Sequence, residues 1–344
     1  MELVYLEIRH KQAWDQMVKQ AHGSGFMQSW AWGAWKENSG QKVVRLGVME
    51  GQRLIGGATA YLVASALGSS PLMVPQGPVL PWQDLDSAKA ARELLLNELQ
   101  LIAHREKCPI LRLEPGISNE QKQIFFPQAR RAPIDLVPTP SLMVDIDMTE
   151  QDILKQMKPK GRYNIKRASG KGVETQWGTS QEDLASFYEL FDLTCIRHRF
   201  IGEQREFFEG LVHHLSKEDM VRIYLSRYRG NVVSAAIVLM YGQTATYLYG
   251  GSSPFFSGSM ASYDLHWTAM RDARKQGCRY YDFYGIAPED NLFHPYVRFT
   301  AFKKKFGGRV VAHAGAQDII FYEQLSATWL KHLEAMKEEV CQTS

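Results

Sequence analysis

Two runs of cations give this sequence its clearest chemical character. Lys155, Lys158, Lys160, Arg162, Lys166, Arg167 and Lys171 fall in one stretch that contains no acid, and Arg298, Lys303, Lys304, Lys305 and Arg309 cluster near the end. One such run alone reads as an ordinary solvated face. Two in one chain point to a phosphate-bearing ligand, because arginine pairs with phosphate oxygens through two parallel hydrogen bonds and lysine adds a point charge. Other reactive side chains are poorly arranged for catalysis. His213 and His214 adjoin each other on a helical stretch and so point apart, and no H-E-x-x-H or Ser-His-Asp spacing stands out. Cys108, Cys195, Cys278 and Cys341 are scattered with no C-x-x-C pair, which argues against a disulfide framework and against a zinc site. A hydrolase or metalloenzyme is disfavoured, and no metal is expected.

Composition narrows the class further. At 344 residues, with 45% hydrophobic and 22% charged content, the chain reads as a globular protein large enough for two domains. Its net charge of +3 is too small to announce a DNA binder. The longest apolar runs, such as Val232 to Tyr241, are far short of the roughly 20 residues that span a bilayer. No secretory signal is apparent, so the expectation is a cytoplasmic protein.

The elements that must position the cations read as an internal duplication. Val43 to Met49 and Leu54 to Val63 form one hairpin-like pair, and Val221 to Tyr228 and Val232 to Tyr241 form another. Each pair joins β-branched and apolar residues through a glycine-containing turn. After each comes a long helix, Ser87 to Glu106 or Ala261 to Gln276, and then a short strand, Pro109 to Glu114 or Arg279 to Phe283. Helices also precede each hairpin, at Lys11 to Gln20, Gln181 to Leu193 and Glu206 to Leu215. This is the element order of a GNAT-type acyltransferase domain, met twice. The expected fold is therefore α+β, a tandem of GNAT-like domains over residues 1–148 and 149–316, with a terminal helical segment, 317–344, packing back on the first.

Six local patterns in order strengthen this reading: Gln28-Ser29-Trp30-Ala31-Trp32-Gly33-Ala34-Trp35-Lys36, the block Met157 to Ala168, Thr194-x-x-Arg197-x-x-Phe200, Tyr247 to Ser253, Tyr281 to Ile286, and Phe302-Lys303-Lys304-Lys305-Phe306-Gly307-Gly308. Together they resemble the FemABX-type peptidoglycan-bridge aminoacyltransferases, of the short kind that lacks a helical-hairpin arm. The resemblance implies transfer of an amino acid from aminoacyl-tRNA, which serves as co-substrate with no other cofactor. The implied acceptor is an amine on a muramyl peptide, either UDP-muramyl-pentapeptide or its lipid-linked form. It would place the protein in the cytoplasm, with peripheral contact at the inner membrane face left open. The glycine that commonly precedes the Phe-Lys motif in the family is absent here, where Pro295-Tyr296-Val297-Arg298-Phe299-Thr300 leads into it.

The same resemblance assigns roles. Lys303 and Phe302 before it are the expected catalytic residues, with Lys303 stabilising the negative charge that develops on the ester carbonyl oxygen under attack. Lys36 and Arg197 are expected to hold the acceptor's diphosphate, although Lys36 also ends an aromatic-rich helix where its charge complements the helix dipole. Tyr249, read as lying where a strand opens into a glycine-rich loop, and Glu114, where the family more often has Asp, complete the expected substrate contacts. Arg162, Lys166 and Arg167 are expected on a helix that starts at Pro159 and ends at Gly170 or Gly172, and with Lys304 and Lys305 they are the expected tRNA phosphate contacts. Asp282 matches Glu114 in the second copy and reads as structural.

Three rival readings use parts of this pattern. An acyl-CoA N-acyltransferase needs a pyrophosphate loop at a helix start directly after a strand. Short matches at Gln20 to Gly25, Arg53 to Ala58 and Arg167 to Gly172 lack that context. An inactive RNA-binding protein would leave the Phe302-Lys303 and Tyr249-Gly250 motifs unexplained. Transfer from tRNA to a small metabolite keeps the chemistry and changes the acceptor.

Overall fold

The computed structural model describes residues 1–62, 71–291, 294, 296–323, 326–327 and 331. They form two compact units, one of Met1–Thr139 with the described residues from Ala312 onward, the other of Pro140–Val311. Their order in the chain is β1 (Glu2–Tyr5), α1 (Lys11–Gln20), α2 (Trp30–Asn38), β2 (Lys42–Glu50), β3 (Arg53–Leu62), β4 (Leu72–Pro75), α3 (Leu85–Arg105), β5 (Ile110–Glu114), α4 (Asn119–Phe125) and β6 (Arg130–Arg131) in the first. The second contains β7 (Ser141–Asp145), α5 (Glu150–Gln156), α6 (Pro159–Gly170), β8 (Glu174–Gly178), α7 (Gln181–His198), α8 (Arg205–Leu215), β9 (Val221–Tyr228), β10 (Asn231–Tyr241) and β11 (Thr244–Ser252). It continues with α9 (Ala261–Lys275), β12 (Tyr280–Gly285), α10 (Val297–Lys303) and β13 (Arg309–Val311), and β14 (Gln317–Ile320) then joins the first unit.

The first sheet runs β1-β2-β3-β4-β5-β14-β6 and the second β13-β7-β12-β11-β10-β9-β8. Read outward from the parallel pair, the two sheets repeat one plan. An antiparallel hairpin, β2–β3 or β9–β10, leads to a third antiparallel strand, β4 or β11. A helix then crosses to a parallel neighbour, β5 or β12. The tandem GNAT-like α+β fold is thus present. The sequence reading omitted β4, ended a strand at Tyr249 where β11 runs on to Ser252, and carried Leu54 to Val63 one residue past the described part of its strand.

Local chemistry explains why the helices form where they do. The Asp84 side chain accepts from Asp86 N–H and Ser87 N–H to cap α3, whose Ala88, Ala91, Leu95, Leu99 and Ile102 make a stripe with no exposed surface against the sheet. In the second unit, α9 buries Leu265, Ala269, Met270 and Ala273 in the same way. Pro159 opens α6, supplying the fixed φ of a first helical residue, and Gly161, Asn164, Ile165 and Ala168 form its buried face. At Gly251 the backbone of α7 lies so close to β11 that any Cβ would meet Leu190 and Phe191 main-chain atoms.

The passage between units falls at Thr139–Pro140, earlier than 148–149, because β7 pairs with β12 and β13 in the second sheet. At the other end, residues 317–320 form a strand between β5 and β6 where a terminal helix was expected. Most of the remainder of that expected helix lies outside the described residues.

Candidate active site in the second unit

The parallel strands β11 and β12 pair only at Thr244–Tyr280, Ala245–Tyr281 and Thr246–Asp282, and beyond that register they part. Lys303, the last residue of α10, sits at this opening. Its Nζ donates to the Gly285 carbonyl at the end of β12 at 2.6 Å and lies 5.7 Å from the Tyr247 ring on β11. Burial pushes the Lys303 ammonium down to about 8, and the Asp282 carboxylate opposes that fall. Asp282 is itself pushed up by burial, to about 6, against hydrogen bonds from Tyr284 N–H (2.7 Å) and Ser141 and the nearby charge of Lys303.

An aromatic cluster lies beside the lysine. His266 is buried against Tyr247, Phe283, Phe302 and Phe306, with ring centroids 4.6 to 5.6 Å apart, and shares a 2.9 Å hydrogen bond with Tyr281. Burial, and then the Lys303 charge, hold its imidazole down at about 3, so it is neutral at working pH. Phe302 stacks edge-on against Tyr263 at 5.1 Å and forms part of this cluster. What the arrangement offers is one cation in a low-dielectric opening, where it acts more strongly on a developing negative charge than it would in water.

The two basic clusters, more than a hundred residues apart in sequence, meet in the fold. Lys158 N–H at the start of α6 donates to the Lys305 carbonyl at 3.1 Å, and Gly161 gives the helix room to approach that carbonyl. Lys158 just before α6, and Lys160, Lys166 and Arg167 on it, are exposed. Two expected phosphate contacts have other employment. The Arg162 guanidinium donates to the Met157 carbonyl, and Lys304 pairs with Glu289 at 2.9 Å. Lys305 lies 6.0 Å from the Tyr263 ring.

Arg197 is tied to β11, donating to the Ser252 carbonyl at 2.9 Å and to its hydroxyl at 3.3 Å. A cavity of about 640 Å³ at the C-terminal end of α7 is lined by rings such as Tyr188, Phe191 and Phe200 and by Asp192, Arg199 and Glu203, and Arg197 is not in its lining. Tyr249 lies inside β11, paired with Ile237, and the glycines after it continue the strand and do not form the expected loop. Its ring meets Phe191, Phe207 and Phe208 at 5.0 to 5.9 Å, and burial raises its hydroxyl's pKa.

In the first unit, Lys36 lies over the Trp35 ring at 4.1 Å. Glu114 is spent on structure: its two oxygens accept from Leu136 N–H at 2.7 Å and Val137 N–H at 3.2 Å. Burial raises its carboxyl to about 7 despite those bonds and nearby Arg112. Arg112 in turn forms a buried two-pronged pair with Asp318 at 2.7 and 2.8 Å. Sequence reasoning missed His266, quoted Tyr247 in a motif without giving it a role, and gave Asp282 no role beyond structure, because none of them neighbours Lys303 in the chain.

Comparison with known proteins agrees with this picture. Residues 10–125 match the FemAB family, and residues 158–296 match the acetyltransferase (GNAT) domain. Lipid II:glycine glycyltransferases of Staphylococcus haemolyticus and Staphylococcus saprophyticus are 19% identical over 389 residues and 20% over 386, each comparison covering 90% of this chain and 91% of the relative. The crystal structure of FemX superposes with a TM-score of 0.86 at 18% identity, over 96% of this chain and all of that one. A tandem GNAT protein from the clavulanic acid biosynthesis pathway gives a TM-score of 0.56 at 13% identity, over 93% and 98%. With a FemAB-family match over its first part and a GNAT-domain match over its second, the chain is a transferase built from two tandem GNAT units and similar to the FemAB proteins.

Proposed function

We propose that the protein transfers the aminoacyl group of an aminoacyl-tRNA to the side-chain amine of a muramyl stem peptide, extending a peptidoglycan cross-bridge. The observation that carries the reading is Lys303, a half-buried cation placed where the parallel strands of a GNAT-type sheet part. In this reaction the neutral amine attacks the ester carbonyl carbon, a C–N bond forms, and negative charge gathers on the carbonyl oxygen. The ester C–O bond then breaks, and the terminal ribose hydroxyl leaves with the proton the amine gives up. Lys303 stabilises the charged oxygen. The joined basic face of α6 and Lys305 offers the tRNA backbone its phosphate contacts, chiefly through Lys158, Lys160, Lys166 and Arg167.

The names of the relatives favour a lipid-linked acceptor, which would bring the protein to the cytoplasmic face of the membrane. No helix among the described residues is long and apolar enough to cross one. The acyl-CoA alternative has less support. Its three short loop matches lie after α1, within β3 and at the C-terminal end of α6, and none opens a helix directly after a strand.

The test is to incubate the protein with charged tRNA and either lipid-linked muramyl-pentapeptide or UDP-muramyl-pentapeptide, and to weigh the products. The expected product is heavier by one aminoacyl residue and disappears when the tRNA is digested first. Transfer that survives ribonuclease and requires acyl-CoA would overturn the reading.

A further inference from the structure

Beyond Lys303, the end of β12 has an unusual construction. Tyr284 holds φ at +61°, in the left-handed region that a bulky residue seldom enters unless its surroundings impose it. Asp282 imposes it here, by accepting the Tyr284 N–H at 2.7 Å in the manner of an aspartate-capped turn. The residue after this turn is Gly285, whose carbonyl receives the Lys303 ammonium. The far side of the turn is held as well. Ile286 N–H donates to the Pro140 carbonyl at 2.9 Å, and Ala287 N–H donates at 2.7 Å to the Thr300 hydroxyl, on the same helix as Lys303.

We propose that Asp282 is the positioning residue for Lys303: it fixes the left-handed turn that aims the Gly285 carbonyl at the lysine, and its buried negative charge keeps that lysine a cation. The groups facing Lys303 agree with this division of labour. Tyr247 on β11 presents a ring, and His266 on α9 is neutral and adds no charge. Among the described residues, that leaves Asp282 on β12 as the negative charge acting on the ammonium. The carboxylate touches neither substrate nor the reacting ester, so its effect on rate passes through Lys303. The significance for catalysis rests on the aminoacyl-transfer reading above, while the electrostatic coupling itself is measurable without substrate.

The experiment follows the Lys303 Cε signal by NMR in full-length protein labelled with 13C-lysine, assigned by its loss in Lys303→Met and titrated in the absence of substrate. In the wild type the main midpoint is expected near 8, with a smaller inflection near 6 as Asp282 gains its proton. Asp282→Asn keeps an oxygen to cap Tyr284 and removes the charge. The Lys303 midpoint is then expected to fall by about one pH unit, and the alkaline limb of kcat/KM to move down with it. At pH 8 that shift lowers the charged fraction from about a half to about a tenth, a roughly fivefold loss of rate. Asp282→Ala should lose more, because the turn also loosens, and Tyr284→Gly in that background should restore part of the loss.

An unmoved midpoint in Asp282→Asn overturns the proposal and leaves Asp282 a structural residue, whatever the activity does. Should that variant fail to fold, a wild-type Lys303 signal with no inflection near 6 overturns it equally. A wild type that shows both inflections but transfers no aminoacyl group overturns the function proposed above and leaves the Asp282–Lys303 coupling standing.

Discussion

Replacing Lys303 with methionine should separate chemistry from folding, and the structure sets the size of both effects. The fold charges a cost for keeping this lysine protonated: its depression from 10.5 to about 8 corresponds to roughly 3 kcal/mol against the charged form. That cost is present in full below about pH 8 and fades as pH rises toward the unfolded value, so removing the cation relieves it at pH 7. Against this, the Gly285 carbonyl loses its partner, which costs about 1–3 kcal/mol for a buried acceptor. The two nearly offset, and thermal unfolding of Lys303→Met should lie within a few degrees of wild type. Catalysis has no such offset. Loss of a charge that stabilises an oxyanion removes about 3–4 kcal/mol from the transition state, so kcat should fall by on the order of a hundredfold or more with little change in KM. Single-turnover transfer from charged tRNA, measured beside calorimetric unfolding, reads both. A variant that retains more than about a tenth of wild-type kcat, or whose loss lies in KM, would refute the placement of Lys303 at the developing charge.

Three further outcomes follow from the same geometry. The double variant Lys166→Met/Arg167→Met should weaken tRNA affinity and flatten its dependence on salt by about two phosphate contacts, read by filter binding between low and physiological ionic strength; an unchanged slope would move tRNA off α6. His266→Phe keeps the aromatic packing and removes a group that is neutral in the fold down to about pH 3 but protonates below about 6.5 when unfolded. Wild-type stability from this source is present above 6.5 and lost as pH falls, about 2 kcal/mol by pH 5, so the variant's unfolding should be less acid-sensitive; parallel pH curves would show that His266 titrates in the native state. Gly161→Ala drives a methyl into the Lys305 carbonyl and should cost roughly 1–3 kcal/mol while displacing α6 from Lys305, seen as a lower melting temperature and a raised KM for tRNA; a silent substitution would mean that the contact is loose.

Much of the fold could be read from local pattern. The hairpins β2–β3 and β9–β10 carry β-branched runs across turns with positive φ at Gly51, Arg229 and Gly230, and α1 appears over the same residues expected from periodicity. β4 escaped because four apolar residues buried on both faces show no alternation. β11 was read only as far as Tyr249, for a different reason. Gly250 and Gly251 resemble a loop, yet Gly251 sits within the strand so that α7 can approach the backbone, a requirement of packing that local propensity does not reveal.

The site was harder to read because its essential relations join residues of one chemical kind to residues of quite another, far away in the chain. Lys303 is one of three consecutive lysines, and composition alone offers no reason to choose among them. The fold distinguishes them by burial and partner. Lys303 turns inward to a carbonyl and a ring, Lys304 turns outward to Glu289, and the Lys305 carbonyl docks the start of α6. Periodicity explains part of this, since three successive residues of a helix end cannot face the same way. Which of them faces the opening between β11 and β12 depends on where α10 ends, and Thr300 helps to fix that by donating to the Tyr296 carbonyl while accepting from Ala287. The catalytic assignment therefore rests on a hydrogen-bonded link between a helix and a strand end, in which the tyrosine, the glycine and the aspartate matter as much as the lysine they hold.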